Sequence, residues 1–186
     1  MRAALLKVAS ELLERKGPQA LSMRRIATLA GCSTGALYAQ FQGKEEIIAA
    51  LYDEGFERLQ RALGAADQTD PLEQVRELNR TYRRFAVTNP THYSVMFARP
   101  VPEFSPSAAQ LGAAWQSIAP LIHALESCVQ RKRLFGEPET MALKLWTLAH
   151  GLVSAELSGH LILAEGHLSG LHEGVMEDLF RAWGIK

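Results

Sequence analysis

The chain has 186 residues, 47% of them hydrophobic, and its 20 Lys and Arg residues balance 20 Asp and Glu residues to a net charge of zero. This length suits a small head and a body with a sizeable core, and the hydrophobic content is ordinary for a globular chain. No apolar run approaches the ~20 residues of a membrane span and no signal peptide is found, so we expect a cytoplasmic protein without a membrane partner.

The first predicted element is an amphipathic helix that packs over the segment following it. Its apolar stripe is formed by Leu5, Val8, Ala9, Leu12 and Leu13. The next segment, residues 20–47, reads ALSMRRIATLAGCSTGALYAQFQGKEEI. Ser22 is a good N-cap for a short helix there, and Gly31 ends that helix because glycine adopts a left-handed backbone without steric cost. This pattern predicts a helix-turn-helix that binds DNA.

A second short helix follows the glycine turn. Ser33 or Thr34 caps it, and its inner face carries Ala36, Leu37 and Phe41. Gly35 costs this helix roughly 1 kcal/mol against alanine, so helix stability does not account for the exposed residues. The small residues at its start instead allow the backbone to approach a surface such as a DNA major groove.

The charge distribution supports the same placement. The segment from Met1 to Lys44 holds seven basic and two acidic residues, while the remainder of the chain holds 13 basic and 18 acidic residues. Such an asymmetry is expected when one small domain faces phosphate and the other does not. The alternative is a chance clustering of solvated charges.

The run GPQALSMRRIATLAGCSTGALYAQFQGKEEIIAAL resembles the N-terminal domain of TetR-family transcriptional regulators. The matching features include Ile26-Ala27, Ala30-Gly31, the G-x-L-Y-x-x-F core that begins at Gly35, and the pair Lys44-Glu45 that starts the next helix. The resemblance implies a three-helix DNA-binding domain over 1–48. Because few residues precede the first helix, we expect the basic N-terminal arm of many family members to be short or missing.

The resemblance also implies which residues contact DNA. Ser22 corresponds to a cap that touches phosphate, Arg24 to a basic residue that reaches a base edge, and Tyr38 to an aromatic that donates its hydroxyl to phosphate. Lys44 corresponds to a phosphate-binding lysine at a helix N-terminus. The groove-facing positions implied in this way are Ser33, Thr34, Gly35 and Gln40.

The remaining residues, 49–186, are predicted to form a helical ligand-binding and dimerisation domain, which makes the chain all-α with about nine helices. A linking helix runs over 44–63, and Pro71 opens a helix that Asn89-Pro90 ends. A short helix and a proline-containing loop, ARPVPEFSPS, come next. Further helices are predicted over 108–135, 138–164 and 169–183.

Two stretches of this second domain, PTHYSVMF and WTLAHGL, resemble a TetR subgroup whose signature is a Trp followed by His-Gly. The resemblance implies a small-molecule pocket, and Trp146 and His150, four residues apart, share one helix face. An aromatic residue at helical spacing also suits a core, and His150 also fits a core histidine. The predicted ligand-binding residues are Tyr93, Met96, Phe97, Phe104, Trp115, Trp146 and His150, which indicate a mostly apolar or aromatic effector.

The last two helices show apolar faces at Leu145, Leu148, Leu152 and Ala155 and at Val175, Leu179, Ala182 and Trp183. Such faces suit a monomer core, whereas the resemblance implies a homodimer in which these helices pack as a four-helix bundle with those of the second copy. We favour the homodimer because a two-fold operator needs a two-fold protein.

Catalytic and metal-binding patterns are not found in the sequence. It has no glycine-rich phosphate loop, no nucleophile elbow and no H-x-x-x-H pair, and the spacing of Cys32 and Cys128 suggests neither a disulfide nor a metal site. We therefore expect neither an enzyme nor a cofactor nor a metal. Glu156 suits either an acid/base group or a carboxylate that recognises a cationic ligand.

These observations predict a ligand-responsive transcriptional regulator, in particular a repressor that binds a pseudo-palindromic double-stranded operator as a dimer and is released by a small-molecule effector. An activator would share the same residues. The alternative from another class is a helical small-molecule or partner-binding module without sequence-specific DNA binding.

Overall fold

Helices account for all the regular structure in the part of the chain that the computed structural model describes, residues 1–161 and 164–184. This confirms the all-α fold class. In chain order the elements are α1 (Arg2–Lys16), a 3-10 turn (Pro18–Ala20), α2 (Met23–Leu29), α3 (Thr34–Tyr38), α4 (Lys44–Gly64), α5 (Pro71–Thr88), α6 (Pro90–Phe97), α7 (Ala108–Gln116), α8 (Ala119–Gln130), α9 (Pro138–Leu157) and α10 (Glu165–Trp183). Over these same residues, no helix has both the length and the apolar character that crossing a bilayer requires.

The chain divides into two structural units. The first comprises Met1–Arg58 and Asn89–Ala113, so it contains the whole of the predicted DNA-binding segment together with α6 and the loop that follows it. The second comprises Leu59–Thr88 and the chain from Ala114 onward. The helix α4 contributes residues to both units.

The core of the first unit is built where the sequence pattern predicts it. Ile26 of α2 and Leu37 of α3 are fully buried, and Phe41 is 1% exposed. The stripe of α1 packs over them with Leu5, Ala9, Leu12 and Leu13 buried, while Val8 is half-buried. Apolar burial of this kind supplies the main free energy that holds such short helices in place.

The turn between α2 and α3 depends on Gly31. Its φ of +67° lies in the left-handed region, and its amide donates to the carbonyl of Thr28 at 3.2 Å. The amide of Cys32 then donates to the carbonyl of Ala27 at 3.0 Å. A side chain at Gly31 would meet no neighbour, so the constraint on this position is the backbone conformation alone.

In the second unit, α5, α8 and α9 pack against one another, and α10 lies against α9 and α5. Their shared core contains Val75, Leu125, Leu145 and Val153, each at most 1% exposed. Because Leu145 is used here, it is part of the monomer core and not part of a surface for a second copy.

The single helix predicted over 108–135 is wrong, because it consists of two helices, α7 and α8. Pro120 lies in the first turn of α8, where its missing amide costs nothing and its ring would clash with a helix continuing from before. The chain turns at Ser117 and Ile118, whose amides donate to Ala114 and Trp115. The proline in the sequence was the signal for this break.

The predicted limits of the last two helices also differ from the structure. α9 ends at Leu157, seven residues before the predicted end, and Gly159 follows with a φ of +73°. Residues 162 and 163, which the predicted helix included, lie outside the described residues. α10 begins at Glu165, four residues before the predicted start at Ser169. The helix includes Gly166 and Gly170, although glycine is a poor helix former.

We expect Gly31→Ala to destabilise the first unit by about 1–2 kcal/mol, because alanine must then adopt a left-handed backbone. Thermal and urea unfolding followed by far-UV circular dichroism measures the change. Gly112→Ala is the matched control: it lies within α7, has an ordinary φ and has open space around it, so it should be neutral or stabilising by up to about 1 kcal/mol. Equal effects of the two substitutions would contradict the assignment.

Candidate functional site

The short helix α3 is held by a side-chain cap at its N-terminus and by a buried residue on its inner face. The Ser33 side chain accepts a hydrogen bond from the Ala36 amide at 3.1 Å, which caps the helix. Leu37 anchors it in the core, and the opposite face leaves Thr34 and Gly35 exposed. Of the two capping residues that the sequence left open, Ser33 is the one used. This face presents small polar groups on a rigid support.

Tyr38 ends α3 with its side chain 52% exposed, an unusual position for a large aromatic residue. Its neighbour Leu37 points into the core, whereas about half of the Tyr38 side chain faces solvent. Its hydroxyl is therefore available to an external acceptor such as a phosphate oxygen.

The helix α2 presents its polar side near the same turn. Ser22 caps it by accepting from the Arg25 amide at 3.3 Å, as predicted. The side chains of Arg24 and Arg25 are exposed. Since an exposed guanidinium carries five donors in a fixed plane, Arg24 can reach a guanine edge or a phosphate without losing an internal partner.

Arg2 holds the segment that follows α3, a contact that the sequence analysis did not predict. The Arg2 Nη1 group donates to the Gln40 carbonyl at 2.7 Å, and the guanidinium lies 4.1 Å from the centre of the Phe41 ring. Gln40 itself is half-buried. Arg2 is 38 positions from Gln40, and no pattern along the chain predicts that the two meet. Only the tertiary packing brings them together.

Lys44 begins α4 and is half-buried, with its ammonium 3.6 Å from a carboxylate oxygen of Glu103. The Glu46 side chain accepts from the Gln42 amide at 2.7 Å and so occupies one free donor of the helix start. The predicted phosphate-binding lysine therefore has an internal acidic partner in this structure.

The predicted ligand-binding residues are distributed over both units. Tyr93, Met96 and Phe104 are 4–6% exposed and belong to the first unit. Aromatic rings pack there at tilted and edge-to-face angles in a continuous cluster, in which the centroid distances are 4.9 Å for Tyr93–Phe97, 5.6 Å for Phe56–Phe97, 4.9 Å for Tyr52–Phe56 and 5.6 Å for Tyr52–Phe104. These contacts give the clustered rings a role in the packing of that unit.

An apolar cavity lies within the second unit. It holds about 480 Å³ of empty space, including the part open to solvent, but the room for water-sized molecules inside it is only about 40 Å³. The lining residues are Leu59, Leu63, Leu78, Asn79, Tyr82, Ser117, Ile118, Leu121, Leu145, Trp146, Ala149 and Met176. The cavity is thus a narrow slot with a few polar groups, and a ligand larger than a few atoms would have to widen it.

Trp146 is the member of the predicted ligand set that lines this slot. His150 does not line the slot but contacts two residues that do. Its ring stacks on Trp146 with centroids 5.6 Å apart, and its Nδ1 is 3.3 Å from the Tyr82 hydroxyl. Burial lowers the pKa of His150, which favours the neutral ring. Trp115 is 55% exposed.

The sequence analysis missed the lining residues of α5. Leu78 and Tyr82 lie four residues apart on its buried face, and Asn79 brings an amide to the slot. The apolar spacing along α5 was the signal, but the same spacing describes any core helix. Which core residues border a gap is decided by how well the neighbouring helices fill the space.

Glu156 is neither a free acid nor a site for a cation. Arg83 donates to its two oxygens at 2.7 and 3.0 Å, and His172 Nε2 lies 3.2 Å from one of them. The exposed fractions of the Arg83 and Glu156 side chains are 14% and 9%. The carboxylate charge is therefore balanced within the protein, which explains how it can be buried.

Both cysteines are free thiols. Burial raises the pKa of the Cys128 thiol to about 11, which makes it a poor nucleophile. In the described residues, no group of three His, Cys, Asp or Glu side chains is placed to hold a metal ion.

Two family models match the chain. Residues 5–51 match "Bacterial regulatory proteins, tetR family", and residues 75–179 match "Tetracyclin repressor-like, C-terminal domain". The Trp-His-Gly subgroup stays a prediction, since neither model distinguishes it.

Similar proteins agree with these matches. The HTH-type transcriptional regulator TtgR of Pseudomonas putida is 35% identical over 80 residues, which are 41% of this chain and 38% of TtgR. Among solved structures, a protein of unknown function from Rhodococcus sp. RHA1 is 22% identical with a TM-score of 0.86, covering 99% of this chain and 95% of that one. A regulatory protein in the tetR family from Rhodococcus RHA1 is 19% identical with a TM-score of 0.77, covering 100% and 97%. The two structures show a shared fold.

We expect Glu156→Gln to destabilise the second unit by roughly 3–5 kcal/mol, because it removes the buried carboxylate charge that accepts two hydrogen bonds from the Arg83 guanidinium. Unfolding in urea followed by tryptophan fluorescence measures this directly, since all three tryptophans, at positions 115, 146 and 183, lie in the second unit.

Asp178→Asn is the matched control for that measurement. Its partner Arg181 is 2.6 Å away, but the two side chains are 70% and 76% exposed, so the loss should stay below about 1 kcal/mol. A cost for Glu156→Gln no larger than that of the control would show that the buried pair does not stabilise this unit.

Proposed function

This chain belongs to the TetR family of bacterial transcriptional regulators, and on that premise we propose that it is a ligand-responsive repressor acting on DNA in the cytoplasm. The family consists of regulators and not of enzymes. The proposed operator is pseudo-palindromic double-stranded DNA bound by a homodimer, and the proposed effector is a mostly apolar or aromatic small molecule.

The observation that carries the DNA-binding proposal is the exposed face of α3. The helix has five residues, and burial of Leu37 and the Ser33 cap hold it without using its outer side chains. That leaves Thr34, Gly35 and Tyr38 free to enter a major groove, with Ser33 and Gln40 at its margins. Ser22 and Lys44 are proposed to meet the phosphate backbone on either side.

A second copy is proposed to pack on α9 and α10. Leu143, Leu157 and Leu171 are 36–39% exposed on these helices, and a second copy would cover them. Gly170 and Gly174 of α10, one turn apart, have open space where a side chain would extend. A two-fold dimer would set its two recognition helices about one DNA turn, ~34–36 Å, apart.

The effector is proposed to bind in the slot bordered by Trp146, Tyr82 and Asn79. Leu59 and Leu63 of α4 also line the slot, and the same helix begins at Lys44, the proposed phosphate contact. A ligand that widens the slot would bind one arrangement of these helices better than another. Such differential affinity is what a change in operator affinity requires.

Selection of bound duplexes from a randomised DNA pool at about 0.15 M salt tests the DNA-binding proposal, because that salt suppresses non-specific phosphate binding. We expect a pseudo-palindrome. Recovery of no specific sequence would favour the alternative, a helical small-molecule or partner-binding module without sequence-specific DNA binding.

On the recovered operator, Arg24→Ala should cost about 1–3 kcal/mol of binding free energy and relax the preference at one base-pair position per half-site. Arg15→Ala removes the same charge from the exposed end of α1 and serves as the control. Fluorescence anisotropy against operator variants measures both. A loss spread evenly over all sequences would make Arg24 a phosphate contact and not a base reader.

The effector proposal is tested by screening apolar and aromatic small molecules for release of the operator. We expect Trp146→Ala to shift the half-releasing concentration at least tenfold, because Trp146 borders the slot, and Trp115→Ala to leave it unchanged, because Trp115 is exposed and does not line the slot. The reverse ranking of the two tryptophans would place the binding site elsewhere.

A further inference from the structure

The loop between α6 and α7 carries a carboxylate to the start of α4. Two apolar residues anchor this loop in the first unit: Val101 is 1% and Phe104 is 5% exposed. The Phe104 amide donates to the Val101 carbonyl at 3.1 Å, and its ring packs on Tyr52 of α4 with centroids 5.6 Å apart. Glu103 lies between these anchors, so its position relative to α4 is determined by packing.

The anchored loop directs Glu103 to Lys44. The carboxylate is 3.6 Å from the ammonium, and the exposed fractions of the two side chains are 57% and 33%. An exposed pair of this kind contributes little to folding, because water screens it and both side chains lose rotamer freedom. Its contribution to stability does not explain why an acidic side chain faces this particular lysine.

We propose that Glu103 is an internal competitor of DNA for Lys44. The inference rests on the proposed function, in which Lys44 binds a backbone phosphate. In the DNA-free protein the Glu103 carboxylate occupies the place of that phosphate. Binding of DNA must therefore break the pair, and it brings a second negative charge close to the displaced carboxylate.

The competition lowers the affinity for any duplex, because a phosphate contact carries no sequence information. Removing the Glu103 charge should strengthen binding by about two- to fivefold, the range that an exposed ion pair is worth. It should also steepen the salt dependence of binding, by up to about 0.9 in the slope of log K against log salt, since Lys44 then exchanges salt ions and not a carboxylate for phosphate.

Glu103→Gln in the full chain tests the proposal, with a mixed-sequence duplex as the probe and anisotropy read at several salt concentrations. Glu11→Gln is the matched control, because Glu11 also faces an exposed lysine in the first unit, Lys7, at 4.0 Å. Lys44→Ala and the double variant Glu103→Gln/Lys44→Ala complete the cycle. Circular dichroism melting confirms that each variant is folded.

The expected result is tighter binding by Glu103→Gln, no change by Glu11→Gln, and a smaller gain when Glu103→Gln is added to Lys44→Ala than when it is added to the wild type. Glu103→Lys should exceed the gain of Glu103→Gln. If Glu103→Gln binds like the wild type while Lys44→Ala is weakened, or if both glutamate variants gain equally, Glu103 is no competitor and the inference is overturned. If Lys44→Ala alone binds like the wild type, the phosphate contact in the proposed function is wrong.

Discussion

Burial of Leu37 and Phe41 in the first unit is the interaction on which the DNA-binding geometry depends. A five-residue helix that includes Gly35 has no stability of its own in water, because nucleation costs more than so few hydrogen bonds return. Burial of Leu37 and the Ser33 cap therefore stabilise α3, because its intrinsic helix propensity does not. Since these contacts use only the inner face, the outer face of α3 takes no part in holding the helix.

Ion pairs between helices account for several of the arginines of the second unit. In the second unit, Arg76 contacts Glu177 at 2.6 Å, Arg80 contacts Glu173 at 3.2 Å, and Arg83 contacts Glu156 at 2.7 Å. These arginines are neutralised inside their own unit. In the first unit, the side chains of Arg24 and Arg25 are exposed on α2, the helix that packs against α3.

The structure also separates two roles that the sequence analysis had combined. Aromatic residues of α6 and the following loop complete the packing of the first unit, whereas the slot in the second unit is lined mainly by aliphatic residues of α4, α5, α8 and α9. Aromatic content by itself therefore does not distinguish core packing from a cavity lining, because large rings fill cores as readily as they border cavities. The polar groups at the slot, Asn79 and Tyr82, are its more specific features.

The sequence by itself determined the all-helical fold, the helix-turn-helix with its Ser22 cap and Gly31 turn, and the buried positions Ile26, Leu37 and Phe41. These features are local: they follow from apolar spacing, capping chemistry and the backbone freedom of glycine, all of which operate within a few residues. The break at Pro120 was equally local and was available from the sequence.

Only the tertiary structure decided which distant side chains meet. The contacts of Arg2 with Gln40, Lys44 with Glu103, and Glu156 with Arg83 join residues 38–73 positions apart, and the slot beside Trp146 is the space that the helices of the second unit leave unfilled. Neither ion pairing at such separations nor imperfect packing has a periodic signal along the chain. Both depend on how the helices are arranged in space, which local propensity does not specify.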